Sequence, residues 1–205
     1  MPTDQTIGII GSGQLGSMLC QAAKKINVKT VVISDDKNGP AQNFCDQFIY
    51  STYDNSENIK KFIDLVDVVT YEFENIPYEV LKIMDETKRV LPRPTINQIV
   101  QNRRTEKTFI NDLGIKTTDW VFIKSKEDVK KNEKLFPAIL KTTTLGYDGH
   151  GQFLINSLND VKEDWCFTEN YILEKLVKLK QEISVVITRF QNGEIIVYEP
   201  IENIH

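Results

Sequence analysis

The sequence predicts an α/β chain of two domains, a parallel-sheet domain over residues 1–100 and a mixed α+β domain over residues 101–205. Three observations lead to this prediction. Short apolar strands alternate with helical patterns in the first half, and a glycine-rich turn joins the first strand to the first helix. Near residue 100 two helical patterns follow one another directly, and beyond them the pattern becomes mixed.

The first half is predicted to form five strands and three helices. Apolar residues recur at helical spacing from Leu15 to Ile26, Ser56 is a suitable N-cap for the second helix, and Pro77 precedes the third. The strands are predicted at residues 6–10, 29–34, 47–50, 67–77 and 90–94, and the helices at residues 15–26, 56–65 and 78–87.

The second half is predicted to mix helices with strands. Gly114 marks the end of the second of the two consecutive helices, Ser125 caps a third helix, and Asn192-Gly193 is a hairpin signal. Residues 201–205 contain no closing helix, so we expect an incomplete fold at this end. The helices are predicted at residues 95–102, 103–113, 126–135 and 158–167, and the strands at 120–123, 136–140, 152–155, 171–176, 182–190 and 194–199.

Composition argues against several classes of protein. The net charge of −4 has interspersed signs, which predicts no basic surface for nucleic acid and no polybasic segment for a membrane. Neither a secretory signal nor a bilayer-spanning apolar run is apparent. Three separated cysteines without a CxxC motif, and only two histidines, argue against a zinc site and for a reducing compartment. We therefore expect a cytoplasmic protein, and we assign no metal ligand.

The turn GSGQLG is a candidate anion site. Gly13, Gln14 and Leu15 lie where the first strand passes into the first helix, so backbone N–H groups can bind a phosphate. Asp35 follows Gly16 by 19 residues, the spacing of an acid that binds a ribose hydroxyl in dinucleotide-binding proteins. The same turn accepts any phosphate monoester, however, and the acidic pair that begins at Asp35 can equally be a solvated turn.

Glu72 and Glu74 are candidate ligand-binding residues at the end of the fourth predicted strand. They are two residues apart, so on an extended backbone both side chains point to the same side. Ligands of open parallel sheets bind at the carboxyl ends of the strands, beside the glycine turn of the first strand. The alternative is an exposed strand end without a ligand.

The segment LKTTTLGYDGHGQ joins two predicted strands by a loop that is longer than a plain hairpin requires. Its glycines allow backbone N–H groups to approach a phosphate closely, and Lys141 on the preceding strand supplies a positive charge. The alternative is an exposed glycine-rich hairpin with a solvated Lys141. The loop residues concerned are Gly146, Tyr147, Asp148, Gly149, His150 and Gly151.

Taken together, seven motifs resemble those of the 5-(carboxyamino)imidazole ribonucleotide synthetases, a family of ATP-grasp ligases in purine biosynthesis. In order, they are IIGSGQLG, VVTYEFENIP, NRRTEK, ILKTTTLGYDGHGQ, LEKLV, QEISVV and ENIH. A dehydrogenase would not share this combination. The resemblance implies a Rossmann-like pre-ATP-grasp domain over residues 1–100, followed by an incomplete α+β ATP-grasp domain over residues 101–205. The latter would comprise a small subdomain at about residues 117–177 and the start of a large subdomain at residues 178–205.

The resemblance also implies an activity. In this family ATP phosphorylates bicarbonate to carboxyphosphate, and the exocyclic amine of 5-aminoimidazole ribonucleotide then captures the carbon as a carbamate. The reaction requires magnesium, whose ligands we expect beyond the end of this sequence, so we expect the 205-residue chain to be inactive alone. The implied partners are these small molecules and a second copy in a homodimer.

Site residues can be carried over from the family by motif. Tyr147 and Asp148 would be catalytic, with Asp148 orienting the amine or accepting its proton. The aminoimidazole ribonucleotide would bind at Gly13, Gln14, Leu15, Glu72, Glu74, Tyr147 and Asp148. ATP would bind at Arg103, Lys141, Gly146, Tyr147, Asp148, Gly149, His150, Gly151, Gln152, Glu174, Lys175, Leu176, Val177, Glu182 and His205, with residues 174–177 forming the adenine hinge.

The sequence departs from the family pattern at several positions. The family has glycine where Ser12 stands and arginine where Ser17 stands. Thr143, Leu145 and His150 replace further glycine or basic residues of the loop, which removes positive charge.

Two other functions remain open at this point. The glycine turn together with Asp35 favours an NAD-dependent oxidoreductase. The third hypothesis is a fragment that binds ligands without turnover.

Overall fold

The computed structural model describes residues 5–146, 150–162, 165, 167 and 170–204. The first part of the chain forms a five-stranded parallel sheet in the order β3-β2-β1-β4-β5, with helices between successive strands. Its strands are β1 (Thr6–Ile10), β2 (Lys29–Ser34), β3 (Gln47–Tyr50), β4 (Val68–Tyr71) and β5 (Arg89–Val90). The helices that follow β1, β3 and β4 are α1 (Gln14–Lys25), α2 (Ser56–Asp64) and α3 (Tyr78–Asp85).

The strand order reverses direction at β1. Strands β2 and β3 lie on one side of it, and β4 and β5 lie on the other, so a crevice opens between β1 and β4 at their carboxyl ends. Ligands of open α/β sheets bind in such crevices. The predicted parallel sheet is therefore confirmed, and the glycine turn after β1 and the glutamates after β4 lie at this crevice.

Helix α1 packs through its small residues. Gly16, Ser17, Cys20 and Ala23 are buried, whereas Leu15 and Met18 are more than half exposed. A Cβ atom on Gly16 would lie 2.9 Å from the carbonyl oxygen of Gly11, so a larger residue there would hold the helix away from the turn. The predicted helical period is correct, but the large apolar residues that revealed it do not face the sheet.

Two consecutive helices connect the parallel sheet to the second part of the chain. They are α4 (Pro94–Val100) and α5 (Arg103–Asp112), and Gly114 follows α5 with a φ of 76°. The second part contains a four-stranded antiparallel sheet in the order β6-β9-β7-β8. Its elements are β6 (Trp120–Ile123), α6 (Lys126–Lys131), β7 (Ala138–Thr142), β8 (Gln152–Ile155) and β9 (Tyr171–Lys175).

Each sheet has its own apolar core. Phe62, Leu81 and Met84 are fully buried on the parallel sheet, and Leu140 and Leu173 are fully buried in the antiparallel sheet. The final residues form two antiparallel strand pairs whose apolar side chains are largely exposed. These strands are β10 (Glu182–Ser184), β11 (Ile187–Arg189), β12 (Ile195–Val197) and β13 (Ile201–Asn203), with β10 paired to β13 and β11 paired to β12.

Some predicted elements are wrong in extent. The side chain of Asn55, not Ser56, accepts the N-cap hydrogen bond of α2, from the N–H of Asn58 at 3.0 Å. The predicted strand over residues 182–190 is interrupted and forms β10 and β11, and the one over residues 194–199 is shortened to β12. Strand β13 was not predicted, whereas the predicted turn at Gly193 is present with a φ of 88°.

The predicted helix over residues 158–167 is also wrong. Among the residues described in this range, 158–162, 165 and 167, there is no α-helix, and one 3-10 turn spans Leu158–Asp160. The carboxylate of Asp160 accepts hydrogen bonds from the N–H groups of Asn156 and Ser157, and Val161 then takes an extended backbone that ends the turn.

None of the helices that the structure describes combines the length and the apolar character needed to cross a membrane.

Close packing at the centre of β1 can be tested with Gly8→Ala. A Cβ atom there would lie 2.5 Å from Cζ of the fully buried Phe62. We expect Gly8→Ala to lower the free energy of unfolding by about 1–3 kcal/mol, measured by urea denaturation. In a Phe62→Leu background the same change should cost clearly less, because the clashing ring is gone. Equal costs in the two backgrounds would contradict this packing.

Candidate functional site

The carboxylate of Glu72 occupies the glycine turn. The N–H of Gly13 donates a hydrogen bond to Oε1 of Glu72 at 2.8 Å, just before α1 begins. A Cβ atom on Gly11 or on Gly13 would lie less than 3 Å from the Glu72 side chain, and Gly11 has a φ of 102°. In this structure an N–H group of the turn is therefore paired with a carboxylate of the chain itself.

Ser12 does not face this carboxylate. Its side chain is buried and donates a hydrogen bond to Oγ of Ser34 at 2.8 Å, and its carbonyl accepts one from Ala41. A Cβ atom on Gly39 would lie 1.8 Å from Oγ of Ser12, so a glycine at position 39 leaves the space that this serine requires. The departure at Ser12 is thus accommodated on the side of the turn away from Glu72.

Two buried tyrosines near the crevice were not predicted. Burial raises the pKa of Tyr53, and the nearby Asp35 and Glu72 carboxylates raise it further. Burial alone raises the pKa of Tyr71. Both hydroxyl groups are buried. That of Tyr71 has no hydrogen-bond partner among the residues that the structure describes, whereas that of Tyr53 lies beside the Ser34 side chain and the Asp35 backbone, which only partly offset the rise in its pKa. Both tyrosines are therefore neutral, and each hydroxyl can donate a hydrogen bond to a ligand that reaches it.

Glu72 and Glu74 do not share one side of a strand. Strand β4 ends at Tyr71, so the extended backbone on which the prediction relied is absent at the two glutamates. Glu72 turns toward Gly13, whereas Glu74 lines a cavity of about 320 Å³ between the two parts of the chain. The cavity is lined by Glu74, Asn75, Val100, Gln101, Arg103, Glu106, Thr143, Leu145 and Gly146.

Arg103 fixes the first half of the loop that follows β7. Its backbone N–H donates to the carbonyl of Thr143 at 2.8 Å, and its guanidinium donates to the carbonyls of Thr142 at 2.8 Å and Gly146 at 2.6 Å. A Cβ atom on Gly146 would lie 2.6 Å from Nη1 of Arg103, so a larger residue there would displace the guanidinium from its present position. The predicted residues Arg103 and Gly146 are thus brought together.

The ammonium groups of Lys141 and Lys107 flank the carboxylate of Glu174. Nζ of Lys141 lies 2.7 Å from Oε2, and Nζ of Lys107 lies 3.0 Å from Oε1. The Glu174 side chain is only 8% exposed. Burial raises the pKa of Glu174, but the hydrogen bonds and charges of the two lysines outweigh it and hold this pKa below its usual value.

The pKa of Glu106, on the same helix as Lys107, is shifted in the opposite direction. Burial raises it, and the positive charges of Arg103 and Lys107 only partly oppose that effect. Glu106 and Lys107 were not among the predicted site residues. The signal that could have found them is the motif NRRTEK, in which Arg103 and Lys107 are four residues apart and therefore lie on one face of a helix.

The remaining loop residues are placed as follows. Gln152 pairs with Lys141 in the β7–β8 register, and Gly151, with a φ of 68°, accepts a hydrogen bond from the N–H of Thr142. His150 is exposed. The predicted residues Tyr147, Asp148, Gly149 and His205 lie outside the described part of the chain.

The predicted adenine hinge follows the end of β9. The N–H of Leu176 donates to the carbonyl of Pro137 at 2.8 Å, and the carbonyl of Lys175 accepts from the hydroxyl of Thr118 at 2.8 Å. Val177 is 52% exposed. Glu182 lies apart on β10, where Nδ2 of Asn203 donates to its Oε1 at 2.9 Å.

Two protein-family models match the chain in succession. Residues 4–101 match the ribonucleotide synthetase preATP-grasp domain, and residues 108–205 match the ATP-grasp domain. The N5-carboxyaminoimidazole ribonucleotide synthase of Bacillus subtilis is 37% identical over 203 residues, which are 97% of this chain and 53% of that protein.

Solved structures agree with these matches. The N5-carboxyaminoimidazole synthetase of Staphylococcus aureus complexed with ADP has a TM-score of 0.93 at 35% identity, covering 98% of this chain and 55% of that one. The Aspergillus clavatus carboxyaminoimidazole ribonucleotide synthase complexed with ATP has a TM-score of 0.89 at 26% identity, covering 100% and 55%. This chain spans about half the length of the curated relatives that it matches.

The opposite pKa shifts of the two glutamates predict opposite effects on stability. The lowered pKa of Glu174 contributes stability above the unfolded pKa of about 4.3, and this contribution is lost as the pH falls through the folded value. The raised pKa of Glu106 makes the folded chain lose stability as the pH rises from the unfolded value through the folded one.

At neutral pH we therefore expect Glu174→Gln to destabilise the chain by about 1.5–3 kcal/mol and Glu106→Gln to stabilise it. The measurement is urea unfolding at several values between about pH 3 and pH 7, with the exposed Glu127→Gln on α6 as the control. The same sign for both variants at neutral pH would refute the assignment.

Proposed function

This chain belongs to the family of N5-carboxyaminoimidazole ribonucleotide synthases, which are ATP-grasp ligases, and on that basis we propose that it acts in the carboxylation of 5-aminoimidazole ribonucleotide. In this reaction ATP phosphorylates bicarbonate to carboxyphosphate, and the amine of the ribonucleotide attacks the carbon and releases phosphate. The observation that carries the proposal is the position of Lys141, whose partly buried ammonium group lies on the strand that leads directly into the glycine loop.

The loop after β7 is proposed to hold the ATP phosphates. Lys141 and the loop's amides would supply positive charge, and Gly146 and Gly151 would allow the backbone to approach the phosphates. Arg103 gives two of its five N–H groups to loop carbonyls, so it holds the loop in place and can offer the others to a phosphate. Tyr147 and Asp148 keep their proposed catalytic roles on the strength of the motif alone.

The adenine base is proposed to bind at the end of β9. Leu176 has already used its N–H on Pro137, so it cannot donate to the base. The carbonyl of Lys175 retains one lone pair beside its bond from Thr118, and Val177 is exposed. We therefore assign base recognition to Lys175 and Val177 and ribose recognition to Glu182, with His205 proposed from the motif.

The crevice between β1 and β4 is proposed to bind the aminoimidazole ribonucleotide. The turn presents the Glu72 carboxylate to this crevice, and a carboxylate accepts hydrogen bonds from an amine or a ribose hydroxyl. Tyr53 supplies a neutral hydroxyl nearby. Gln14 and Leu15 begin the adjoining helix, and Glu74 lines the cavity that leads toward the loop.

This position of Glu72 argues against the NAD-dependent oxidoreductase. A dinucleotide pyrophosphate would bind to the N–H groups of the glycine turn. The Glu72 carboxylate already accepts from Gly13 at 2.8 Å, and its negative charge would repel a pyrophosphate at the same place.

Magnesium is expected from the family, but the residues described here do not fit a metal site. No group of three His, Cys, Asp or Glu side chains close enough to hold a metal ion occurs within the ranges 5–146, 150–162, 165, 167 and 170–204.

The proposal also includes a division of the chain into two domains, a homodimer and a cytoplasmic location. A domain boundary near residue 100 is supported by the change from a parallel sheet ending at Val90 to an antiparallel sheet beginning at Trp120. A homodimer is supported by the exposed apolar side chains of α1, among them Leu15 and Met18. A cytoplasmic location is supported by Cys20, which is buried and free.

ATP binding provides the test of this function. We expect the chain to bind ATP but not NAD in calorimetric titrations. Lys141→Met should weaken ATP binding by about 10-fold to 100-fold, because it removes a charged hydrogen bond to a phosphate. The exposed Lys130→Met on α6 is the matched control and should bind ATP like the parent. Binding of NAD without ATP would refute the proposed function.

A further inference from the structure

A single buried carboxylate forms ion pairs with two lysines that come from different elements. Glu174 lies on β9, Lys141 on β7 and Lys107 on α5. The side chains of Lys107 and Lys141 are 14% and 20% exposed, so the three groups are largely removed from water. Each lysine contacts its own carboxylate oxygen, and the group carries one net positive charge.

The two lysines differ in the backbone segments that carry them. Lys141 is followed directly by the glycine loop, whereas Lys107 lies in the interior of a helix whose first residue is tied to that loop. If Lys141 leaves Glu174, Lys107 still compensates the carboxylate. If Lys107 were absent, the departure of Lys141 would leave a buried negative charge without a partner, which is costly.

We propose that Lys107 is a positioning residue for ATP binding: it holds the Glu174 carboxylate so that Lys141 can exchange Glu174 for an ATP phosphate. This inference rests on the proposed function, because the phosphate is the new partner of Lys141. Lys107 itself touches no ligand.

A further negative charge near Glu174 makes the carboxylate depend more strongly on Lys107. Glu106 lies next to Lys107 in α5, lines the cavity, and contributes negative charge near Glu174. A carboxylate with a like charge nearby and no cation is destabilised both by burial and by repulsion. The ATP-bound chain therefore needs a cation that stays with Glu174 after Lys141 has moved.

ATP titration of five variants tests the exchange. We expect Lys107→Met to weaken ATP binding about tenfold and Lys107→Arg to bind within about threefold of the parent. Glu174→Gln removes the charge that Lys107 compensates, so Lys107→Met should have almost no effect in that background. Lys130→Met again serves as the control. Should Lys107→Met fail to fold, Lys107→Gln takes its place in both backgrounds.

A ligand-free measurement separates this inference from the proposed function. Carbon-13 NMR titration of the glutamate carboxyl groups, with Glu174 assigned from its absence in Glu174→Gln, should show its pKa rising in Lys107→Met. An unchanged Glu174 pKa overturns the inference even if ATP binds. Equal losses of ATP affinity from Lys107→Met in both backgrounds also overturn it, because Lys107 would then act independently of Glu174. A parent chain that binds no ATP would refute the proposed function. It would also overturn the inference, because Lys141 would then have no phosphate for which to exchange Glu174.

Discussion

The hydrogen bonds of Arg103 connect the start of α5 to the loop that follows β7. Its backbone and its side chain both donate to carbonyls of the loop after β7, while the helix that it begins packs next to α4 and the parallel sheet's domain. The loop is thereby fixed at its start against the cavity that Glu74 also lines. The guanidinium lies close to Gly146, so the absence of a side chain at this position leaves room for an arginine more than forty residues earlier in the chain.

Charge is distributed unevenly between the two proposed binding regions. The crevice of the parallel sheet presents a carboxylate, Glu72, and a neutral hydroxyl, Tyr53. The antiparallel sheet presents the ammonium groups of Lys107 and Lys141 around one glutamate. The first region suits a ligand that donates hydrogen bonds, and the second suits a phosphate. The cavity between them, about 320 Å³ in volume, is where groups from the two ligands could meet.

The sequence predicted the positions of the strands in both sheets, because apolar runs bounded by turns are a local signal. The extents were less accurate, since the strand predicted over residues 67–77 ends at Tyr71 and the one predicted over residues 90–94 is only Arg89–Val90. It predicted the period of α1 but not its buried face, since Gly16 must approach the carbonyl of Gly11 and small residues therefore face the sheet. The contact of Glu72 with Gly13 and the pairing of Lys107 with Glu174 depend on residues far apart in the chain. No local periodicity encodes such pairs, so sequence reasoning could name the glutamates but not their partners.

The exposed strand pairs β10–β13 and β11–β12 affect how the chain should respond to denaturants. Ile183, Ile187, Ile195 and Ile201, one on each of these strands, are all more than half exposed. Surface that is already hydrated in the folded state adds nothing to the change on unfolding. The heat capacity of unfolding and the urea m value should therefore both be smaller than the chain length implies. The amide hydrogens of these strands should exchange with solvent without global unfolding, since little buried apolar surface protects them.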